Sequence, residues 1–226
     1  MTPAAASLHA ADHGPALRVA QQFEEAPQQR AAATLGMWIF LATEVMFFGV
    51  LFLAYAHARL ADPAGFGVAS RLTHEWLGTI NTAILLTSSL TMALAVRNGW
   101  AGQRRSVIRL LWTTAVLGLA FIAVKAFEYS LEWRDGLVPV LRFTYAGSHG
   151  EAVERFFFLY FAMTGVHAVH LSIGVALVAW LAVRDRDPSH PVRRRETAEC
   201  LGLYWHFVDA VWIFLYPLIY LVELWR

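Results

Sequence analysis

A small set of ionisable side chains interrupts long apolar runs of the sequence, and these are the residues whose types could do chemistry. They are Glu44, Lys125, Glu128, His167, His170, Glu199, His206 and Asp209. Carboxylates and imidazoles can carry protons, ligate metals or pair with one another. A charged side chain at the middle of a bilayer costs at least about 2.5–3.5 kcal/mol on insertion scales, so each of these residues is a functional candidate.

Metal binding is one chemistry that these residues suggest. His167 and His170 can project both rings from one helix face, as in metal sites carried by helix bundles. A di-iron bundle also needs a Glu-x-x-His motif on each of two helices, and none of the apolar runs contains one. Haem ligation by His170 and His206 on facing helices is the other conceivable metal chemistry. We expect these histidines to be hydrogen-bonded packing residues, with no metal, cofactor-binding or catalytic residue in this chain.

Five apolar runs must position these side chains. Each is long enough to cross a hydrocarbon core, which takes about 20 residues at a rise of 1.5 Å. They span approximately residues 35–60, 76–96, 107–131, 155–183 and 199–224. Of the 226 residues, 58% are hydrophobic and 15% are charged, whereas about 25% are charged in soluble domains. The sequence therefore predicts an all-α membrane protein, with a five-helix bundle over residues 31–226 and a flexible cytoplasmic arm over residues 1–30.

Basic residues are distributed unevenly about the predicted bundle. Eleven arginines lie in the arm and in the gaps after the second and fourth runs, and six lie on the opposite side. Because basic residues are retained in the cytoplasm, the amino terminus is predicted to be cytoplasmic and the carboxyl terminus to lie on the outer side. No basic face with interleaved aromatic residues is present, so nucleic-acid binding is not expected. The single cysteine, Cys200, has no partner for a disulfide within the chain.

Helical periodicity groups the ionisable residues onto shared faces. At 100° per residue, Glu199, His206 and Asp209 fall within about 80° on the last helix. His167 and His170 likewise share one side of the fourth helix. We expect both faces to point into the bundle and, with Glu44, to form an intramembrane polar core.

Depth along the helices suggests which residues pair. Glu44 and His206 lie roughly 15 Å and 10 Å from the cytoplasmic end, so we hypothesise that the carboxylate meets the imidazole. Lys125 and Glu128 lie three residues apart near the outer end of the third helix and are predicted to neutralise each other. On the second helix we expect three polar residues to act in helix packing. These are Asn81, Thr82 and Ser88.

The polar residues stand in local strings that resemble subunit III of the haem-copper respiratory oxidases. The strings are Leu35-Gly-Met-Trp-Ile-Phe-Leu-Ala-Thr-Glu44-Val-Met-Phe-Phe, Asn81-Thr-Ala-Ile-Leu-Leu-Thr-Ser-Ser89, Phe127-Glu-Tyr129, Thr164-Gly-Val-His-Ala-Val-His170, and Glu199 leading to Tyr204-Trp-His-Phe-Val-Asp-Ala-Val-Trp212. They follow the family's order over about residues 31–224. The chain lacks the two extra amino-terminal helices of the mitochondrial form and is similar to the shorter, five-helix bacterial type.

This resemblance implies a non-catalytic accessory subunit of a terminal oxidase of the cytochrome c oxidase type. Such a subunit stabilises the catalytic subunit and supports its proton uptake during oxygen reduction. Haem and copper are then expected in the partner subunits I and II, in a bacterial inner membrane, and a structural phospholipid is a further expectation. Two alternatives stay open. The chain could be the accessory subunit of a nitric oxide reductase, or a stand-alone proton-coupled membrane carrier that uses an intramembrane acid such as Glu44.

Overall fold

The computed structural model describes residues 26–184 and 191–221, which form six helices and a small hairpin. Five of the helices are long and apolar enough to cross a membrane. They are α1 (Ala26–Ala61), α3 (Glu75–Trp100), α4 (Arg104–Arg134), α5 (Gly150–Arg184) and α6 (Pro191–Tyr220). The predicted all-α bundle of five transmembrane helices is therefore confirmed, while the direction in which it crosses the membrane stays a prediction.

The helices extend beyond the apolar runs that predict them. α1 begins at Ala26, so it includes the last five residues of the arm predicted over residues 1–30. The remainder of that arm, residues 185–190 of the predicted fourth gap and the last five residues lie outside the described residues. An apolar run marks only the part of a helix that lies in hydrocarbon. Alanine and glutamine favour helix as well, so the backbone pattern continues past the end of the run.

The first gap, whose Asp-Pro-Ala-Gly sequence predicts a turn, contains the short helix α2 (Pro63–Arg71). Asp62 caps this helix by accepting a hydrogen bond of 2.9 Å from the Gly65 N–H. Proline at the first helical position adds the usual start signal. A Cβ on Gly65 would lie 2.5 Å from the Ala152 side chain, so α2 packs directly against α5.

The gap between the third and fourth apolar runs is a folded loop. Its strands β1 (Leu137–Val138) and β2 (Arg142–Phe143) pair antiparallel, with Leu137 opposite Phe143. Leu137 is buried in the hydrophobic core with residues of α4 and α5. At the end of the loop, His149 Nδ1 lies 2.8 Å from Asp62 Oδ2. The hairpin loop is therefore tied to the start of α2.

Close helix contacts in the centre of the bundle depend on small residues. A Cβ on Gly118 of α4 would lie 2.6 Å from Val175 of α5 and 3.0 Å from the Trp205 ring of α6. Trp205 also contacts Gly174, so its indole is enclosed by two glycine positions. In lipid, such packing, rather than exclusion of water, holds helices together. α1 lies at the edge of the bundle, with most of its apolar side chains exposed.

Asp62 makes two contacts that favour its ionised form. The Gly65 N–H, and secondly the His149 side chain, hold the pKa of the Asp62 carboxyl below its ordinary value. A lowered folded-state pKa gives stability that is present above the ordinary Asp pKa of about 4 and lost as the pH falls through the folded value. We predict that Asp62→Ala lowers the melting temperature of the detergent-solubilised protein near pH 7, and that this difference shrinks below about pH 4.

Melting curves of wild type and variant between about pH 3 and about pH 7 measure this effect. Asp135→Ala is the matched control, because Asp135 is an exposed aspartate at the end of α4. We expect the control to change the melting temperature little at any pH. An Asp62→Ala difference that stays constant down to the lowest pH would contradict the ionic contribution.

Candidate functional site: polar clusters inside the bundle

The largest polar cluster joins α4, α5 and α6 around Lys125. Its Nζ donates to Glu128 Oε2 at 3.1 Å and to the hydroxyls of Tyr160 and Tyr220 at 2.9 Å each. Both tyrosines in turn donate to Glu128 Oε1. The three ammonium protons, the two hydroxyls and both carboxylate oxygens are thus satisfied within one closed network. We call these four residues the lysine cluster.

The predicted pairing of Lys125 with Glu128 is present, but the pair is not superficial. Lys125 is 2% exposed and Glu128 is 0% exposed, because α5 and α6 cover this face of α4 with two tyrosines. Sequence reasoning did not identify Tyr160 and Tyr220. Aromatic residues are common in membrane helices, and no local pattern connects these two with a lysine on another helix.

Glu132 is a second buried acid beside the lysine cluster. It is 0% exposed, and neither carboxylate oxygen makes a hydrogen bond within the described part of the chain. Tyr160 lies near it without reaching hydrogen-bonding geometry. Glu132 is absent from the residues predicted from sequence, although its spacing from Lys125 and Glu128 places all three on one face of α4. That spacing was the signal that could have found it.

Glu44 pairs with His170 of α5. Its Oε2 lies 3.0 Å from His170 Nε2, and His170 Nδ1 lies 2.9 Å from the Val166 carbonyl. A carbonyl only accepts, so Nδ1 carries a proton, and the contact at Nε2 requires a second one. Whether the pair is an imidazolium with a carboxylate or an imidazole with a carboxylic acid, one proton lies between the two side chains. The pair is therefore a one-proton unit that connects α1 to α5.

The predicted partner of Glu44 was His206, and the structure corrects this. His206 Nδ1 lies 2.9 Å from Ser89 Oγ of α3. Counting residues along a helix gives the height of a side chain but not the side toward which a neighbouring helix turns it. Here α1 turns Glu44 toward α5, whereas His206 faces α3.

Asp209 accompanies the second pair. It is 4% exposed and lies near Ser89, and neither of its oxygens makes a hydrogen bond within the residues that the structure describes. Glu199 stands two turns before His206 on the same helix and is half-buried. The single polar core expected from the sequence is therefore two separate clusters, one between α1 and α5 and one between α3 and α6.

The remaining polar residues lie in the packed interior. His167 is fully buried, with its ring 5.7 Å from that of Phe121 and 5.2 Å from that of Trp212. Neither of its ring nitrogens, and neither polar atom of the buried Asn81, has a hydrogen-bond partner in the described ranges.

Two hydroxyls of α3 accept hydrogen bonds from α6. Thr82 accepts from the Trp212 indole at 3.1 Å, and Ser88 accepts from the Trp205 indole at 3.2 Å. These two bonds connect the polar side of α3 to buried tryptophans of α6.

These arrangements can hold helices together and retain protons. Within residues 26–184 and 191–221, no group of three or more histidine, cysteine, aspartate or glutamate side chains is placed to hold a metal ion. The fold and its clusters thus define a multi-pass α-helical membrane protein whose polar residues connect neighbouring helices.

Comparison with known proteins gives the family. The family model for cytochrome c oxidase subunit III matches residues 22–224. Cytochrome c oxidase subunit 3 of Thermostichus vulcanus is 31% identical over 193 residues, which cover 83% of this chain and 86% of the relative. The subunit 3 of Alkalihalophilus pseudofirmus is 28% identical over 188 residues, 83% of this chain and 85% of the relative. Cytochrome bo(3) ubiquinol oxidase subunit 3 of Pseudomonas aeruginosa is 28% identical over 225 residues, 98% and 99% of the two chains. The chain belongs to the cytochrome c oxidase subunit III family, as its five sequence strings predict.

Proposed function

We propose that this chain is the accessory third subunit of a terminal haem-copper oxidase in a bacterial inner membrane. The observation that carries the proposal is the similarity to the Pseudomonas aeruginosa ubiquinol oxidase subunit, which extends over nearly the whole of both chains. The complete bundle, rather than one motif, is thus the shared unit. The relatives named above are subunits of oxidases, which favours an oxidase over a nitric oxide reductase or a stand-alone carrier.

In this proposal the residues of the chain stabilise and do not catalyse. Subunits I and II hold the haem and copper that reduce oxygen, and this bundle supports the catalytic subunit and its proton uptake from within the membrane. The lysine cluster keeps α4, α5 and α6 together, and the Glu44–His170 pair keeps α1 against α5. A structural phospholipid is part of the proposal, as is a cytoplasmic amino terminus.

Isolation of the tagged chain from its native membrane in mild detergent tests the proposal. We expect haem-bearing subunits to co-purify with the chain, to show a haem spectrum and to consume oxygen. A chain that purifies alone and moves protons after reconstitution into lipid vesicles would support the carrier instead. A haem partner without copper that reduces nitric oxide would support the reductase.

Glu44→Gln is expected to leave oxygen reduction intact. The Gln amide can donate to His170 Nε2, so the contact seen at 3.0 Å is kept as a neutral hydrogen bond. Replacing the Glu44–His170 contact by a neutral hydrogen bond changes the free energy of the pair by about 1 kcal/mol. The initial rate of oxygen consumption should therefore stay within about fivefold of wild type. We expect poorer proton pumping or faster inactivation during turnover. Oxygen-electrode traces and proton-to-electron ratios of the purified complex measure both.

Glu44→Leu provides the contrast, because leucine is of similar size and leaves His170 Nε2 without a partner. We expect this variant to inactivate faster than Glu44→Gln. Complete loss of oxygen reduction by Glu44→Gln in a correctly assembled complex would count against an accessory role.

A further inference from the structure

The other helices of the bundle contact α6 and leave one of its sides open. α1 contacts Tyr204 and Phe207 of α6. On the opposite side, α3 contacts Trp205 and Trp212. α5 packs from a third direction, with Gly174 against Tyr204 and Trp205. His206, through Ser89 of α3, and Phe214, through Phe52 of α1, mark the two edges of the uncovered side. At 100° per residue this side is about 80° wide, roughly a quarter of the helix circumference.

The uncovered side carries a continuous row of residues, which we call the outer stripe. They are Glu199, Leu203, His206, Ala210, Ile213 and Pro217. All six are half-buried or exposed, whereas Trp205 and Trp212 on the covered sides are buried. The outer stripe is therefore a surface of the bundle along the length of α6.

Two groups on this surface have open hydrogen-bonding positions. His206 uses Nδ1 for Ser89, and Nε2 makes no hydrogen bond in the described part of the chain. Pro217 has no N–H to donate to the Ile213 carbonyl one turn earlier. Both groups lie within the apolar span Thr197–Tyr220, at about 14 Å and about 24 Å from its start. Lipid chains offer no partner to such groups, so a surface of this kind is poorly suited to face lipid.

Parts of α4 and α5 expose apolar side chains instead. Val116 and Leu119 of α4 and Val169 of α5 are exposed apolar side chains, which lipid chains solvate well. On the outer stripe, Ala210 stands one turn after His206 and permits a neighbouring helix to approach closely. The stripe thus combines a polar contact at mid-membrane depth with room for a helix backbone.

The charges beside the stripe indicate what the neighbouring helix offers. Glu199 is on the stripe, and the buried acid Asp209 lies behind it near Ser89 with no hydrogen bond to its oxygens in the described ranges. The surroundings of His206 are thus rich in acceptors and acids. A neutral or basic hydrogen-bonding side chain complements them better than a second carboxylate does.

We propose that the outer stripe is the surface on which a transmembrane helix of the haem-bearing catalytic subunit packs, and that this helix presents a hydroxyl, amide or basic side chain to His206. The inference rests on the proposed function and names the part of the bundle that meets the partner. The partner helix completes the hydrogen bonding of His206 and covers Ala210 and Ile213. The side of α4 that carries the exposed Val116 and Leu119 faces lipid.

Site-specific photo-crosslinking tests the location. Benzoylphenylalanine replaces Ile213, a large stripe residue that is 51% exposed, in the tagged chain. The cells are irradiated, and the crosslinked polypeptide is identified by mass spectrometry in the purified complex. Leu119 on α4 is the matched control position because it is also exposed within a membrane span. We expect the probe at position 213 to capture the haem-bearing subunit and the probe at position 119 not to capture it.

Affinity measurements test the polar contact. We expect His206→Ala and Ala210→Leu to reduce retention of the haem-bearing subunit through a detergent wash by about threefold to tenfold. His206→Gln should retain more of it than His206→Ala, and Val116→Ala should retain as much as wild type.

Several outcomes would overturn the inference while leaving the proposed function intact. These are a crosslink to the haem-bearing subunit from position 119 and not from 213, a crosslink from 213 to a second copy of this chain, and a crosslink from 213 to lipid alone. Failure of haem-bearing subunits to co-purify with the unaltered chain is a separate result. That outcome would overturn the proposed function itself, and the docking surface with it.

Discussion

Lys125→Met is expected to lower the free energy of unfolding by about 3–5 kcal/mol, the cost of removing one partner from a buried ion pair. Glu128 would keep its two tyrosine donors but lose the only positive charge of the lysine cluster. Glu132 lies one turn from Glu128 and is also 0% exposed. The variant would therefore bury two acids side by side with no positive charge in the lysine cluster. Unfolding in detergent micelles, followed by tryptophan fluorescence or circular dichroism, measures the loss.

Two further variants separate charge from packing. The triple change Lys125→Met, Glu128→Gln and Glu132→Gln removes all three ionisable groups, so we expect it to recover much of the stability that Lys125→Met loses. Arg105→Met removes an exposed basic residue at the start of α4 and should cost less than about 0.5 kcal/mol. If the triple variant were as unstable as Lys125→Met, the loss would not come from uncompensated charge.

The five membrane helices could be predicted because lipid imposes a simple rule on sequence. A backbone in hydrocarbon must satisfy its own hydrogen bonds, so each crossing needs one long apolar run. The pairing of Lys125 with Glu128 was predictable for a related reason, since three residues along one helix bring two side chains together. Both predictions depend only on distances within one element.

Contacts between helices could not be predicted in the same way. Glu44 and His206 lie at similar depths, but the side of α1 that faces the bundle depends on how α1 packs against α5 and α6. The link from Lys125 to Tyr160 and Tyr220 depends on three helices at once. α2 was also missed, because Asp62-Pro63 is a turn signal and a helix-start signal alike, and contact with α5 selects the helix.

Trp205→Ala is expected to be the most damaging change to the apolar core. The indole is 0% exposed, contacts Gly118 and Gly174, and donates to Ser88 Oγ at 3.2 Å. In a soluble protein such a truncation costs about 3–5 kcal/mol. Here the unfolded helices keep the indole in lipid or detergent, so only the cavity and the lost hydrogen bond count, and we expect about 2–3 kcal/mol. The same micelle unfolding assay measures it.

Trp180→Ala is the matched control, because the Trp180 side chain is 49% exposed on the outside of α5 and lies over Arg184. Removal of the Trp180 side chain opens no cavity. We therefore expect the free energy of unfolding to fall by only about 0.5–1 kcal/mol, from loss of the contact with the guanidinium. If the two substitutions lower the free energy of unfolding equally, the loss comes from removing an apolar indole in general and not from its packing. A larger loss for Trp205 than for Trp180 means that close contact around the two glycines and the hydrogen bond to Ser88, rather than apolarity, stabilise this bundle.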